Sequence, residues 1–235
     1  MKQSEAKKIF IELANEKLET LGFKLKKTRT SEAIYIRNRE NGFERIGIST
    51  TNYYPEVVFG MGNSKRINLI EDLLYQINQH LSLGLNLNKE TVTLTYKGNI
   101  NERRLRLLEV EHKDDERGVV ESTKILMHFI ENELLPTYDL FDDIREIDKR
   151  INGEGENWGV ENKPFSIDPY VPQRRFIMAR LCKSDDDFER FTNAFFDEVD
   201  EKMIAQGEPI INRNDENLWI VKFIDYLKKN VKPIY

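Results

Sequence analysis

The first third of the chain constrains the fold most, because one amphipathic helix is followed directly by several short strand-like runs. Apolar residues recur at three- and four-residue spacing from Ser4 to Leu21, which predicts a helix with one buried face. Gly22 is the predicted end of that helix. The alternating run Phe23–Lys26 predicts a half-buried strand, and Asn41-Gly42 predicts a hairpin before the strand that begins at Phe43. This order of elements predicts an antiparallel α+β fold.

The rest of the chain extends this pattern into a β-meander sheet packed by amphipathic helices, with a helical C-terminal part. Strands are predicted at Ala33–Arg37, Phe43–Ser49, Glu56–Phe59, Thr91–Lys97, Arg104–His112 and Phe176–Cys182. Helices are predicted at Ser64–Leu81, Val119–Leu135, from Pro136 onward with a kink or break at that proline, Ser184–Ala205 and Asn214–Lys229.

Proline and glycine divide the chain. Residues 152–174 carry three of the seven prolines and three of the twelve glycines, which is typical of a linker or a long loop. We therefore predict an α+β core domain at 1–151, this loop or linker at 152–174, and a strand plus two helices at 175–235. We expect the last part to pack on the same core, because one isolated strand is too little to stand alone.

Composition narrows the class of protein. Charged residues make up 33% of the 235 residues and apolar residues 39%, as in a folded globular chain. No run of about 18 apolar residues occurs, and no apolar segment follows the charged N-terminal residues, so we expect neither a membrane span nor secretion. The single cysteine, Cys182, forms no internal disulfide and fits a reducing cytoplasm. We predict no cofactor.

Charge is distributed unevenly, which favours a charged partner. Residues 1–30 hold eight Lys/Arg against four Glu, whereas residues 183–202 hold eight acids against three bases. The acidic stretch opens with Asp185, Asp186 and Asp187, which also suit the first turn of a helix. A solvated helix face explains such a stretch most simply, and a binding surface for a basic protein is the functional alternative. Aromatic residues that we expect to be exposed, Tyr53, Tyr54 and Trp158, would extend that surface.

The three histidines form no catalytic or metal-binding pattern. In Glu109–His112 the acids alternate with the histidine across a strand and would point to the opposite face. His128 and Glu131 share a helix face, but in the reverse order to a Glu-x-x-His metal motif, and only once. His80 suits the C-terminal end of a helix. We therefore predict no catalytic residues and no metal site, and we lean against an enzyme.

A glycine-containing segment offers the main small-ligand alternative. Gly60–Arg66 is predicted to turn from a strand into a helix, and helix N-termini beside cations attract anions. The segment matches neither the dinucleotide-binding pattern nor the Walker pattern, since glycine is missing at Lys65 and no Gly-Lys-Ser/Thr follows. A plain glycine turn is the simpler interpretation. The residues that would bind a phosphate or nucleotide here are Gly60, Gly62, Ser64, Lys65 and Arg66.

A third alternative is nucleic-acid binding through a local basic face of the sheet. Such binding needs a stripe of cations, preferably interleaved with aromatic rings. The sequence isoelectric point of about 5.5 argues against a generally basic surface. The cations that could form a local stripe are Lys24, Lys26, Lys27, Lys97, Arg103, Arg104 and Arg106.

The opening of the chain, a helix followed by Leu21-Gly22-Phe23-Lys24-Leu25-Lys26-Lys27 and a β-meander, resembles uncharacterised bacterial domain-of-unknown-function proteins. Some of these lie beside toxin genes and are taken to be immunity proteins. The resemblance covers at most the first 150 residues and carries over no functional residue. It implies a bacterial cytoplasmic α+β protein whose role is binding. The leading hypothesis is therefore a non-catalytic binding protein, immunity-like in role, with a protein partner.

Overall fold

The computed structural model describes residues 2–28, 32–53, 56–96, 108–111, 116–153, 165–167 and 169–234. The chain divides into two compact units, and each is built from separate stretches of sequence. The first unit comprises Met1–Ile67, Leu94–Asp139 and Pro164–Ser166, and the second comprises Asn68–Thr93, Leu140–Lys163 and Ile167–Tyr235. This division differs from the predicted ranges, since residues 68–93 and 140–151 of the predicted core belong to the second unit.

The fold is α+β, as predicted. In the first unit the helices and strands are α1 (Gln3–Thr20), β1 (Lys24–Thr28), β2 (Glu32–Arg39), β3 (Gly42–Tyr53), β4 (Glu56–Ile67), β5 (Thr95–Tyr96), β6 (Leu108–Glu111), α3 (Glu116–Phe129), most of α4 (Leu135–Leu140) and β7 (Phe165–Ser166). In the second unit they are α2 (Asn68–Leu81), α5 (Ile144–Asn152), α6 (Val171–Cys182), α7 (Asp185–Ala205) and α8 (Trp219–Asn230).

An antiparallel sheet with the strand order β1-β2-β3-β4-β6 forms the first unit's framework. The predicted hairpin is confirmed, and its two loop residues are Glu40 and Asn41, because Arg39 pairs with Gly42, the first residue of β3. Glycine is needed at position 42, since its φ is +149° and a Cβ there would lie 2.0 Å from the carbonyl oxygen of Arg66. Two-residue loops fix strand register, and this one aligns β2 with β3 along their shared length.

Helix α1 supplies the first unit's core with one apolar stripe, as its spacing predicts. Ala6, Phe10, Ala14 and Leu18 are fully buried, and the Phe10 ring stacks on Phe59 of β4 with centroids 4.8 Å apart. The helix ends at Gly22, whose φ is +85°, and the amide of Phe23 donates to the carbonyl of Leu18. That bond is the long hydrogen bond of a Schellman motif, so the predicted glycine stop is confirmed.

A π-helical turn at Ile130–Leu134 joins α3 to α4 where a kink or break at Pro136 was predicted. Pro136 has no backbone N–H, so it cannot complete a regular helical ladder through this point. The wider turn lets the chain continue as a helix with Pro136 at the second position of α4.

Helix α6 is the centre of the second unit, and α2, α5, α7 and α8 all pack against it. Nine consecutive residues of α6, Gln173 to Leu181, are buried. The predicted strand at Phe176–Cys182 is therefore wrong. A segment that is buried on every side shows no helical periodicity, and a short apolar run alone cannot separate a strand from a central helix.

Helix α6 also buries the guanidinium of Arg174, which is fully paired. It donates to both carboxylate oxygens of Glu71 in α2, at 2.8 and 3.0 Å. Its remaining N–H groups donate to the carbonyl oxygens of Ile167, Pro169 and Val92. All five guanidinium donors have acceptors, so burial of this charge is compensated by a bidentate ion pair and three backbone bonds.

Among the described helices, none is long and apolar enough to cross a membrane. Helix α7 matches its predicted range within one residue, whereas α8 begins at Trp219, five residues later than predicted.

Candidate functional site

The three predicted acidic residues form the first turn of α7, where two of them stabilise the helix. Ser184 caps the helix by accepting from the amide of Asp187 at 3.1 Å, and its hydroxyl donates to that carboxylate at 2.6 Å. The hydrogen bond from Ser184, followed by that from Arg190, lowers the pKa of Asp187. Asp185 accepts from the buried Arg180. Asp186 has no partner among the described residues.

Ion pairs occupy most of the remaining acids of α7. Within the described part of the chain, only Asp186 and Glu201 of the eight acids in this helix lack a charged partner. The uncompensated charge on α7 is therefore smaller than the sequence implies, and it lies at two outward-facing positions near opposite ends of the helix. The pairs are Glu189 with Lys228, Asp197 and Asp200 with Arg213, and Glu198 with Lys202.

The chain after α7 folds back along the last turns of the helix. The amide of Glu208 donates to the carbonyl of Met203, and the amide of Ile211 donates to Asp200 at 3.0 Å. Arg213 donates to Asp200 at 2.8 Å and to Asp197 at 2.5 Å. The hydrogen bond from Arg213, and after it the bond from the Ile211 amide, lowers the pKa of Asp200. We call residues 206–213 the strap.

The strap and the end of α7 expose two large apolar side chains. Ile204 is 64% exposed and Ile210 is 59% exposed, the highest values among the exposed large apolar residues in the described part of the chain. The exposed acids Glu201 and Glu208 lie beside them in sequence. Sequence analysis found the acidic helix but missed these isoleucines, although the Ile210-Ile211 pair after the turn residues of Gly207–Pro209 is an available signal.

The predicted aromatic part of the surface lies largely outside what the structure describes. Tyr53 is the last residue of β3, but its side chain is outside the described set, as are Tyr54 and Trp158 altogether. Their contribution to binding stays a prediction.

The predicted turn at Gly60–Arg66 is wrong, because these residues lie within β4 and the helix begins only at Asn68. Strand β4 pairs with β3 along its whole length, from Glu56 opposite Tyr53 to Ile67 opposite Gly42. Glycines at 60 and 62 suggested a turn, but here they sit in an extended ladder, with Gly62 opposite Gly47. Ser64, Lys65 and Arg66 are buried within this strand, so the turn into a helix that was predicted to bind an anion does not occur at these residues.

Lys65 instead serves a buried internal carboxylate, that of Glu44 on β3. The Lys65 ammonium lies 3.5 Å from Glu44 Oε1 and also donates to the carbonyl oxygen of Tyr138 in α4. Arg39 Nε lies 3.5 Å from the same oxygen, and Arg37 Nε donates to Oε2 at 2.5 Å. Asp139 pairs with both arginines at the exposed side. We call these six residues the Glu44 cluster.

The Glu44 cluster combines three cations with two acids, and the carboxylate of Glu44 is wholly buried. Glu44 Oε1 makes no hydrogen bond within the described residues, although two cations lie near it. Asn63 accepts from the Tyr138 hydroxyl at 2.6 Å and exchanges two hydrogen bonds with the backbone of Tyr96. Burial, and then the charge of Glu44, raise the pKa of Tyr138 well above its ordinary value. Sequence analysis missed this cluster, because its members come from three strands and a distant helix.

The basic face proposed for nucleic acid is described only in part. Lys24, Lys26 and Lys27 are exposed on β1, an edge strand of the sheet, where lysines also discourage edge-to-edge pairing. Lys97, Arg103, Arg104 and Arg106 lie outside the described residues. In the described ranges, no three His, Cys, Asp or Glu side chains are grouped to hold a metal ion. His112 lies outside those ranges.

The chain matches no protein-family model, no curated protein and no solved structure in the comparisons made.

Proposed function

We propose that this chain is a non-catalytic cytoplasmic protein that binds a basic protein partner through the outward face of α7 and the strap. The observation that carries this proposal is that two strongly exposed isoleucines, Ile204 and Ile210, lie within three residues of acids that have no ionic partner among the described residues, Glu201 and Glu208. Apolar side chains rimmed by charge are typical of protein–protein contact sites.

The outward face of α7 is a continuous stripe. Exposed residues recur at three- and four-residue spacing over about 27 Å of helix at 1.5 Å per residue. Asp186 and Glu201 supply its uncompensated charge, and Ile204 ends it. The stripe comprises Asp186, Arg190, Asn193, Asp197, Glu201 and Ile204.

The strap gives this surface a defined shape before binding. Backbone hydrogen bonds from the start of the strap, the bond from the Ile211 amide to Asp200 and the Arg213 ion pairs fix the strap to the helix, so Ile210 is presented without further ordering of the chain. Preorganised loops bind more tightly because the entropy of ordering them has already been lost on folding. Because more than a third of each side chain is already covered, burying the rest would contribute about 1–2 kcal/mol for each isoleucine.

Charge would act mainly on the rate of association. Exposed acids steer a basic partner over distances of about a Debye length, roughly 8 Å at physiological salt. Most of the α7 acids are already paired, so we expect steering to depend on Asp186, Glu201 and Glu208. Reversing the sign of these three side chains should lower the association rate constant and its dependence on salt.

The test starts from a partner captured from cells of the source organism and then purified. Ile204→Ser combined with Ile210→Ser should weaken its binding at least tenfold, whereas Leu140→Ser, at another exposed apolar residue of the second unit, should not. Glu201→Lys with Glu208→Lys should slow association, whereas Glu16→Lys on α1 should not. Unchanged affinity and rate in both α7 variants would overturn the proposal.

The resemblance of the opening sequence to proteins beside toxin genes suggests a narrower form, in which the partner is a bacterial toxin. Co-expression of this chain with the product of an adjacent gene would then restore growth. If the Ile204→Ser, Ile210→Ser variant also restored growth, neutralisation of the toxin would not depend on the α7 surface.

A further inference from the structure

A groove of about 310 Å³ lies between the C-terminal end of α2 and α8, inside the second unit. This volume is at the lower end of the range of small-molecule pockets, about 300–1,000 Å³. Its walls combine two rings with two acids and two bases: His80, Glu216, Lys222, Asp225, Tyr226 and Lys229.

Helix α8 separates its groove face from its core face. Lys222, Asp225, Tyr226 and Lys229 follow the i, i+3, i+4, i+7 spacing that places residues on one face of a helix. The other face is buried through Ile220, Phe223, Ile224 and Leu227, so α8 is held rigidly by its packing.

The two rings form an angled pair within the groove. The His80 ring centroid lies 5.0 Å from that of Tyr226, and the ring planes are inclined at 52°. Two inclined rings leave a corner in which a third ring can contact one face and one edge, the arrangement that aromatic pairs prefer over a face-to-face sandwich.

The four charged side chains of the groove are left available to a ligand. Within the described residues, none of Glu216, Lys222, Asp225 and Lys229 forms an ion pair within 4 Å. Asp225 and Lys229 have the i, i+4 spacing that commonly pairs on a helix. Lys228, the neighbour of Lys229 outside the groove, does pair, with Glu189 at 3.9 Å.

We infer that this groove binds a small zwitterion that carries an aromatic ring, of the aromatic amino-acid class. The ligand's ammonium group would pair with Glu216 or Asp225, its carboxylate with Lys222 or Lys229, and its ring with the corner formed by His80 and Tyr226. A purely anionic ligand would meet both acids, and a purely cationic ligand would meet both lysines. Both signs in one groove therefore favour a ligand with both signs. The groove includes no α7 or strap residue, so this inference is independent of the proposed function.

The test uses matched probes that differ by one charge. L-Phenylalanine carries both charges, 3-phenylpropionate lacks the ammonium group and phenethylamine lacks the carboxylate. Affinity is measured by calorimetry, and the site is located from backbone amide shifts in ¹⁵N-labelled full-length protein. We expect L-phenylalanine, L-tyrosine or L-tryptophan to bind at least tenfold more tightly than its matched single-charge probes, with shifts confined to the end of α2 and to α8.

Variants test the roles of the individual residues. Lys229→Gln should reduce the difference in affinity between the amino acid and phenethylamine. Asp225→Asn should reduce the difference in affinity between the amino acid and 3-phenylpropionate. Tyr226→Leu should weaken all three probes, whereas Lys228→Gln should change none of them. Failure of all three amino acids to bind, equal binding of the three probes, or shifts elsewhere in the chain would overturn the inference.

Discussion

The two units bury charge in different ways. In the second unit, Arg174 has an acceptor for each of its five donors, and both it and Glu71 are almost completely excluded from solvent. In the first unit, Glu44 is wholly buried, but one oxygen lacks a hydrogen bond within the described residues, and the cluster reaches solvent through Arg39 and Asp139. The solvent-excluded Arg174–Glu71 pair holds helices together, whereas the strength of the ion pairs in the Glu44 cluster depends on solvent and salt.

Removing Arg174 should have the largest effect on stability. Arg174→Met would leave the Glu71 carboxylate buried without a counter-charge, which costs about 3–5 kcal/mol. Urea denaturation of the variant measures this loss, and the double change Arg174→Met with Glu71→Gln should recover part of it. Arg190→Ala, which removes an exposed and solvent-screened pair with Asp187, should cost little stability. A similar small loss for Arg174→Met would contradict the structural role assigned to it.

Neutralising Glu44 should have the next largest effect and should depend on salt. Glu44→Gln removes the buried negative charge that Lys65, Arg37 and Arg39 share, and we expect a loss of about 2–3 kcal/mol, below the range for a fully buried pair. Because this cluster reaches solvent, added salt should reduce the loss by screening. Urea denaturation of Arg174→Met and Glu44→Gln at low and high salt compares the Arg174–Glu71 pair with the Glu44 cluster. Equal salt dependence of the two stability losses would contradict the distinction drawn between the pair and the cluster.

Two buried tyrosines of the first unit should respond differently to loss of the hydroxyl group. The Tyr138 hydroxyl donates to Asn63, so Tyr138→Phe should cost about 0.5–1.5 kcal/mol. The Tyr35 hydroxyl has no hydrogen-bond partner among the described residues, so Tyr35→Phe should be close to neutral at pH 7 or slightly stabilising. Equal losses in urea denaturation would contradict this difference.

The same tyrosines predict a loss of stability at high pH. Burial raises the pKa of Tyr35 to about 12, above the ordinary value of about 10. A pKa raised by folding means that the folded state favours the protonated phenol. This contribution is complete below pH 10 and is lost as pH rises toward 12. Tyr35→Phe should flatten the fall of the unfolding free energy over this interval, and an unchanged slope would contradict the assignment.

The smallest effect concerns the strap at low pH. Hydrogen bonds from Arg213 and then from Ile211 lower the pKa of Asp200 in the folded protein, so the stability that they contribute is fully present above its unfolded pKa and is lost as pH falls through the lowered folded pKa. The protection factor of the Ile211 amide, its exchange rate compared with the intrinsic rate at the same pH, should therefore fall on acidification before the core of the second unit opens. Asp200→Ala, which removes the acceptor, should lower this protection factor already at pH 7, and continued protection in that variant would contradict the role of this carboxylate.

Local patterns in the sequence predicted the local structure well. The stripe of α1, the stop at Gly22 and the Asn41-Gly42 hairpin each depend on neighbours within a few residues, and the structure confirms them. Helix α6 was misassigned because a helix that is buried on all sides lacks the alternation of polar and apolar faces. The sequence also does not show which groups pair with its buried arginines. Strand β4 was cut short because its glycines were interpreted as a turn.

The sequence predicted candidate sites only where the charged residues are close together along the chain. The acidic start of α7 was found, but its ion pairs with Arg180 and Arg213 depend on tertiary structure and reduce the expected surface charge. Lys65 was identified as an anion-binding residue, yet the carboxylate that it pairs with is Glu44, and the Tyr138 carbonyl that accepts from it lies 73 residues away. No local spacing in the sequence encodes such pairs.

The measurement that tests the central proposal most directly compares capture by wild-type protein and by two matched variants from extracts of the source organism. The extracts are nuclease-treated, and bound proteins are quantified by mass spectrometry. We predict one stoichiometric basic protein that is retained by wild type and by Leu140→Ser and lost with Ile204→Ser, Ile210→Ser. Equal retention by all three, or no stoichiometric protein at all, would contradict a binding function at α7 and the strap.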